Sequence, residues 1–308
     1  MRHDYLHLDK QTRKLVDSSA LIRIRHIQKD RFIPYRAVTS VLDLMESFVT
    51  RPISIRPPCL ALIGDSGCGK STLMDEFQRR HNGDGHPGLR VVLCTLDPHP
   101  TMRVSQRCLL TALGVPANLS TFQPWVNADD LIRRALAELG TRLVIFDEAW
   151  HLNHLDRSAR SLMLDWIKWI STANRVSVVC AGIPGFEDTI RREAQLETRF
   201  HVMRVPRWTV GPAFGQFLDS YERSLPLRRP SGLHSVAIQE RLLRESGLRQ
   251  HLVGITQGIT HVLECAAIAA IHTGTEKVTP ALLSAWRDDL EPAVSKSPKP
   301  RKRSHQAS

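Results

Sequence analysis

The stretch LIGDSGCGKSTLMDEF, Leu62–Phe77, constrains the fold more than any other part of the chain. It sets three glycines and one lysine between an apolar run, CLALIG, and a helix-like segment. Gly64, Gly69, Lys70 and Ser71 fit the spacing G-x-x-x-x-G-K-[ST], which joins a strand to a helix through a loop. Glycine lets successive backbone N–H groups converge on phosphate oxygens, and the start of the following helix adds the positive end of its dipole. Gly64, Asp65, Ser66, Gly67, Cys68, Gly69, Lys70, Ser71 and Thr72 are therefore expected to cradle a nucleoside triphosphate. Lys70 would reach the β- and γ-phosphates, and the Ser71 hydroxyl would ligate Mg²⁺.

The rest of the chain agrees with a strand–loop–helix unit repeated in series. Further apolar runs lie at 89–96 (LRVVLCTL), 141–150 (TRLVIFDEAW) and 174–184 (NRVSVVCAGIP), each followed by a helix-like segment. Strands that read as continuous apolar runs, alternating with helices, predict a parallel sheet covered on both faces. Beyond Trp208 the pattern turns helical, through GPAFGQFLDSYERSL, HSVAIQERLLRESG, GITHVLECAAIAAIHTG and TPALLSAWRDDL, where Thr279 and Pro280 fit an N-cap and a first-turn proline. Four regions follow. Residues 1–50 form an N-terminal helical segment leading into the core, with two helices joined at Phe32–Tyr35; 51–208 form the α/β nucleotide-binding domain; 209–290 form an all-helical lid; and 291–308 are a disordered basic tail.

Composition narrows the class. The chain carries a net charge of +11, and the tail contributes five Lys or Arg against one Glu, so the remainder is still basic. That bias suits an anionic partner such as nucleic acid. No apolar run is long enough for a membrane span and the N-terminus lacks a signal-peptide core, which places the chain in the cytoplasm. The six cysteines have no ligand spacing and read as reduced thiols. His151 and His154 lack the i, i+4 spacing of a zincin helix, so a metal centre there is set aside. Trp166 and Trp169, with Leu162, Ile167 and Ile170, form a stripe at helical spacing that reads as core or subunit interface.

The acidic half of the site is expected at the end of another buried strand. LVIFDE, Leu143–Glu148, ends four apolar residues in two carboxylates. Asp147 would hold Mg²⁺, and Glu148 would polarise the attacking water as general base.

With these residues in view, the chain from about Arg23 to Trp286 resembles the AAA+ transposition ATPases of the TniB and TnsC type, and TniB most closely. The stretches that carry the resemblance are RIRHIQKDRFIPYRAV, LIGDSGCGKS, LVIFDEAWHL, VVCAGIP, QLETRF and above all SLPLRRPSGL, Ser224–Leu233. The fold it implies is an AAA+ P-loop NTPase, a parallel sheet flanked by helices with a C-terminal helical lid. It implies ATP and Mg²⁺ as ligands, an ATPase activity, which two departures from the family pattern make slow, and assembly as a ring or helical filament on double-stranded DNA. It also implies a DDE transposase as partner, with or without a target-selection protein. Phe32, Ile33, Pro34 and Tyr35 would lie against the adenine, although their types fit a hydrophobic staple between two helices nearly as well. Arg199 in QLETRF matches the family's arginine finger, with Arg191 and Arg192 as rivals; a planar, permanently charged fork suits phosphate. Arg103 and Arg107, four apart in TMRVSQRCLL, match the segment that touches DNA phosphates, and equally fit a solvated basic helix face.

Two positions depart from the family pattern. Ile183 stands where relatives carry a hydroxyl, and TQGITHVLE offers no Arg or Lys at the second sensor position, so the lid is expected to sense nucleotide by packing alone. Other readings compatible with the residues are an AAA+ ATPase of replication initiation or of secretion, and a nucleotide-gated scaffold with little hydrolysis.

Overall fold

The computed structural model describes residues 5–83, 88–115, 127–247 and 253–287; the basic tail at 291–308 lies outside them. In chain order the helices are α1 (Lys10–Arg13), α2 (Ala20–Ile27), α3 (Arg36–Thr50), α4 (Lys70–His81), α5 (Met102–Ala112), α6 (Ala128–Glu138), α7 (Arg157–Asn174), α8 (Phe186–Arg191), α9 (Ala194–Glu197), α10 (Pro212–Glu222), α11 (Val236–Ser246) and α12 (Thr256–His272). The strands are β1 (Cys59–Gly64), β2 (Val91–Thr95), β3 (Leu143–Asp147), β4 (Ser177–Gly182) and β5 (Phe200–Val205).

All five strands run parallel in the order β2-β3-β4-β1-β5. Side chains alternate between two cores, as the period of a strand requires. From β1, Cys59, Ala61 and Ile63 enter the core shared with α5 to α8, while Leu60 and Leu62 enter the core shared with α3 and α4. The central strands β3 and β4 divide the same way, Phe146 and Cys180 to one side, Ile145 and Val179 to the other. Burial on both faces is why these strands read as unbroken apolar runs.

The strand β5 was not among the apolar runs picked out in the sequence. It is one of the two edge strands, and only Phe200 and Val205 at its ends are buried, with His201 and Arg204 exposed between them. An edge strand needs no continuous apolar run, so its pattern is weak. In α7, Trp166, Ile167 and Ile170 enter the core while Leu162 is exposed, so the stripe is narrower than its spacing suggests. All six cysteines are free thiols.

Contacts divide the described residues into two compact units: 30–208 with 255–257, which holds the sheet, and 5–29 with 209–247, 253–254 and 258–287, which is helical. The N-terminal segment is thus shared out, α2 to the helical unit and α3 to the sheet unit, rather than leading as one piece into the core.

Within the helical unit, two carboxylates organise the loop that contains SLPLRRPSGL. Glu222, 7% exposed, accepts the backbone N–H groups of Ser231 (2.5 Å), Gly232 (3.1 Å) and Leu233 (2.8 Å). Glu276 forms a two-pronged ion pair with Arg23, which is 3% exposed and also donates its Nε–H to the Pro226 carbonyl at 2.8 Å. Burial alone would raise the Glu276 carboxyl; hydrogen bonding from Arg23 and the charges of Arg23 and Arg228 outweigh it and hold the group below its ordinary value. The segment expected as a last helix is a 3₁₀ turn over Leu282–Arg287, which starts beyond the expected N-cap Thr279 and first-turn Pro280, although the Thr279 hydroxyl accepts the Leu282 N–H at 3.4 Å.

Candidate functional site

The loop between β1 and α4 sits at the C-terminal edge of the sheet, where open parallel sheets place their ligands. Asp65–Gly69 make the turn, with Gly67 at φ +76° and Gly69 at φ +94° in the left-handed region that favours glycine. Lys70 opens α4 and is 9% exposed; its Nζ donates to the carbonyls of Gly64 (2.7 Å) and Asp65 (3.0 Å). Ser71 and Thr72 follow as exposed residues of the first turn.

Asp147 ends β3 and is 6% exposed. The Ser71 hydroxyl donates to its Oδ2 at 2.7 Å, and the backbone N–H of Glu148 donates to its Oδ1 at 2.8 Å. The structure therefore brings the start of α4 and the end of β3 together at one point. A hydroxyl and a carboxylate side by side are hard oxygen donors of the kind Mg²⁺ takes, with phosphate and water completing its shell. Two protein oxygens leave the rest of the shell to phosphate and water, so this pair fits a metal brought with the nucleotide. Glu148 adopts φ +57°, ψ +28°, and the Trp150 indole N–H donates to its Oε2. His151 and His154 pack around that indole, with ring centroids 4.3 and 5.0 Å from it.

The remaining predicted residues are placed as follows. Phe32 and Tyr35 pack on the core beneath α3 and α4, with the Arg80 guanidinium 5.5 Å from the Phe32 ring, and Ile33 is half-buried between them in sequence. Tyr35 packs against Trp208 at 4.5 Å between ring centroids. Burial pushes the Tyr35 phenol well above its ordinary value, and the ring packs against the core cluster that includes Cys68 of the phosphate loop. Cys68 is itself pushed up by burial, against the pull of Lys70, so it sits in the loop as a neutral thiol.

Arg199 is not brought to this site within the chain. Its backbone carbonyl accepts the Cys59 N–H at the opposite end of β1, and its guanidinium donates to the Thr172 hydroxyl at 2.8 Å. Six residues of β1 separate the two ends, roughly 17 Å at about 3.3 Å per residue. Arg191 and Arg192 are exposed at the end of α8. Arg103 and Arg107 are exposed on one face of α5, whose Ser105, Leu109 and Leu110 are buried. Ile183 follows β4, half-buried, and offers no polar side chain.

Four residues of the site escaped the sequence reading. Arg207 forms a two-pronged ion pair with Asp65 (2.8 and 2.9 Å), and its hydrogen bonds hold the Asp65 carboxyl below its ordinary value. A carboxylate inside a phosphate-binding loop needs a cation beside it, which was the available signal. Trp208 donates its indole N–H to the Thr256 hydroxyl at 3.0 Å, Thr256 donates to the Cys68 carbonyl at 3.3 Å, and the Gln257 N–H donates to the Gly67 carbonyl at 2.9 Å. The first two residues of TQGITHVLE thus hydrogen-bond to the loop backbone, a contact that the absence of Arg or Lys in this segment did not announce.

Comparison with known proteins agrees with this geometry. The sequence matches the family described as "Bacterial TniB protein" over residues 23–210, more than half of the chain. The chain belongs to the TniB family. A comparison with curated proteins finds none that matches. Among solved structures, Cdc6p from Pyrobaculum aerophilum is similar at TM-score 0.61 and 15% identity, over 85% of this TniB-family chain and 70% of its own. The ORC1 protein of Aeropyrum pernix, solved in complex with DNA, is similar at 0.56 and 16% identity, over 87% and 69%. The ORC2 protein of the same organism, solved as ADPNP–ADP complexes, is similar at 0.56 and 15%, over 88% and 72%. At these identities the likeness establishes the fold of the TniB-family chain, an AAA+ parallel sheet flanked by helices. Among the described residues no helix is long and apolar enough to cross a membrane.

Proposed function

We propose that this chain is an ATP-dependent, DNA-binding AAA+ regulator of DNA transposition. It binds ATP with Mg²⁺, oligomerises on double-stranded DNA, and recruits or activates a DDE transposase, with hydrolysis driving disassembly. The observation that carries the ATPase part is the 2.7 Å hydrogen bond from Ser71 to Asp147, which joins the phosphate loop to the acidic strand end. Membership of the TniB family carries the transposition part.

In this reading the loop N–H groups and Lys70 hold the phosphates, Lys70 leaving the Gly64 and Asp65 carbonyls to do so. Ser71 and Asp147 hold Mg²⁺, which when bound neutralises charge on the phosphate oxygens and fixes their orientation. Glu148 orients water as general base once its carboxylate turns from the Trp150 indole. Tyr35 lies at the adenine edge with Trp208 behind it. Arg199 serves the phosphates of another copy. Arg103 and Arg107 touch DNA phosphates without reading sequence.

Lys70→Ala is expected to abolish ATP binding and ATP-dependent assembly on duplex DNA; retained ATP-stimulated DNA binding by this variant would refute the site. Glu148→Gln is expected to keep ATP binding and lengthen the life of DNA-bound oligomers. A second reading, a nucleotide-gated scaffold with little hydrolysis, is favoured by the apolar Ile183 and by the hold of Trp150 on Glu148. Unchanged oligomer lifetimes in Glu148→Gln would select it.

A further inference from the structure

Four carbonyls of the phosphate loop, those of Gly64, Asp65, Gly67 and Cys68, are held by donors beyond the turn. Lys70 takes those of Gly64 and Asp65, the Gln257 N–H takes that of Gly67, and the Thr256 hydroxyl takes that of Cys68. A peptide unit is planar and trans, so fixing a carbonyl fixes the N–H on the other side of the same unit. The Cys68 carbonyl thus sets the N–H of Gly69, and the Gly67 carbonyl sets the N–H of Cys68, which here donates to the Asp65 carbonyl at 3.3 Å. In a loop whose task is to present N–H groups to phosphate, direction is what matters.

Thr256 is suited to the work because a hydroxyl has one proton to give and lone pairs to receive. The Trp208 indole, a donor only, occupies a lone pair at 3.0 Å, which leaves the hydroxyl proton for the Cys68 carbonyl. Trp208 is buried and its ring is seated against Tyr35, so the relay starts from a fixed point. Gly67 records the same closeness independently: a Cβ there would lie 2.6 Å from Gln257 Oε1 and 3.1 Å from Ile255 Cγ2.

We infer that Thr256, oriented by Trp208 and joined by the Gln257 N–H, is a positioning residue that sets the direction of the phosphate-loop N–H groups. Neither side chain touches nucleotide in this role, and both act on ATP and ADP alike, because the carbonyls they hold belong to the loop and not to the γ-phosphate end. The inference rests on the nucleotide-binding reading of the loop.

The test is binding of a methylanthraniloyl-labelled ATP and ADP, in the presence of Mg²⁺, to the full chain and its variants. Thr256→Val, which keeps shape and loses the hydroxyl, should weaken both ligands by about tenfold, the loss of one buried hydrogen bond. Thr256→Ser should restore affinity to within about twofold, an outcome that packing alone would not give. Trp208→Phe keeps a ring against Tyr35 and removes the indole donor; it should lose a smaller factor, and added to Thr256→Val it should lose nothing further. Should Thr256→Val not fold, Trp208→Phe carries the test: it should weaken ATP and ADP by the same severalfold factor, and wild-type affinity in it would overturn the inference. Wild-type binding with unchanged affinity in Thr256→Val, or additive losses in the double variant, would overturn the inference and leave the nucleotide site standing. Failure of the wild type to bind either ligand would overturn both.

Discussion

Replacing Glu222 by Gln tests how the helical unit holds the loop SLPLRRPSGL. The carboxylate is nearly buried and accepts three backbone N–H groups, two on Oε1 and one on Oε2. An amide of the same shape has one acceptor oxygen. Set against Ser231 and Gly232, it turns its NH₂ toward the N–H of Leu233, and a buried donor then faces a donor. Leaving that N–H unsatisfied costs about 1–3 kcal/mol, and the other two bonds fall from charge-assisted to neutral strength, roughly 0.5–1 kcal/mol each. A loss of about 3 kcal/mol is expected, felt first as local opening of 231–233. Amide hydrogen exchange read residue by residue should show Ser231, Gly232 and Leu233 exchanging roughly a hundredfold faster in Glu222→Gln. Asp219→Asn is the control, since Asp219 pairs with Arg223 on an exposed helix face and such pairs contribute less than about 1 kcal/mol. Exchange at the three amides within threefold of wild type would refute the account of Glu222 as the organiser of this loop.

Three further outcomes are expected. The Glu276 carboxyl titrates below its ordinary value in the folded state, so the stability it gives is full above the unfolded carboxylate range and is lost as pH falls through the folded value; the denaturation gap between wild type and Glu276→Gln should therefore close on acidification from about pH 5 to 3. Gly67→Ala forces a side chain into φ +76° and against Gln257, and should lower ATP affinity severalfold in equilibrium titration with little change in the helical unit's exchange. Arg103→Ala should weaken duplex DNA binding evenly across sequences and reduce the slope of log affinity against log salt by about one; a loss confined to one sequence would contradict phosphate tracking.

Much of the sheet unit was legible because its signals are local. The runs at 59–64, 89–96, 141–150 and 174–184 became β1 to β4, buried on both faces, and the glycine spacing identified the loop between β1 and α4. Ser71 and Asp147 were legible as a pair because each ends an element whose type was plain. What stayed hidden were partners that meet only through the fold. Arg207 follows an edge strand with a weak pattern, and Thr256 and Gln257 act through a hydroxyl and a backbone N–H that any helix start could offer. The same holds for SLPLRRPSGL, which lies beyond the residues matched to the family and is shaped by two carboxylates outside it, Glu222 and Glu276.

The station of Arg199 has a consequence for symmetry. Its guanidinium stands at the entry end of the strand whose exit end leads to Lys70, so in the assembly proposed above the nucleotide it grips would belong to another copy, and the surface that gives the arginine would differ from the surface that receives it. Such a head-to-tail union has no two-fold axis and must either close on itself or continue. An open row built this way is polar: at one end a copy holds nucleotide that no arginine completes, and at the other an arginine has nothing to grip.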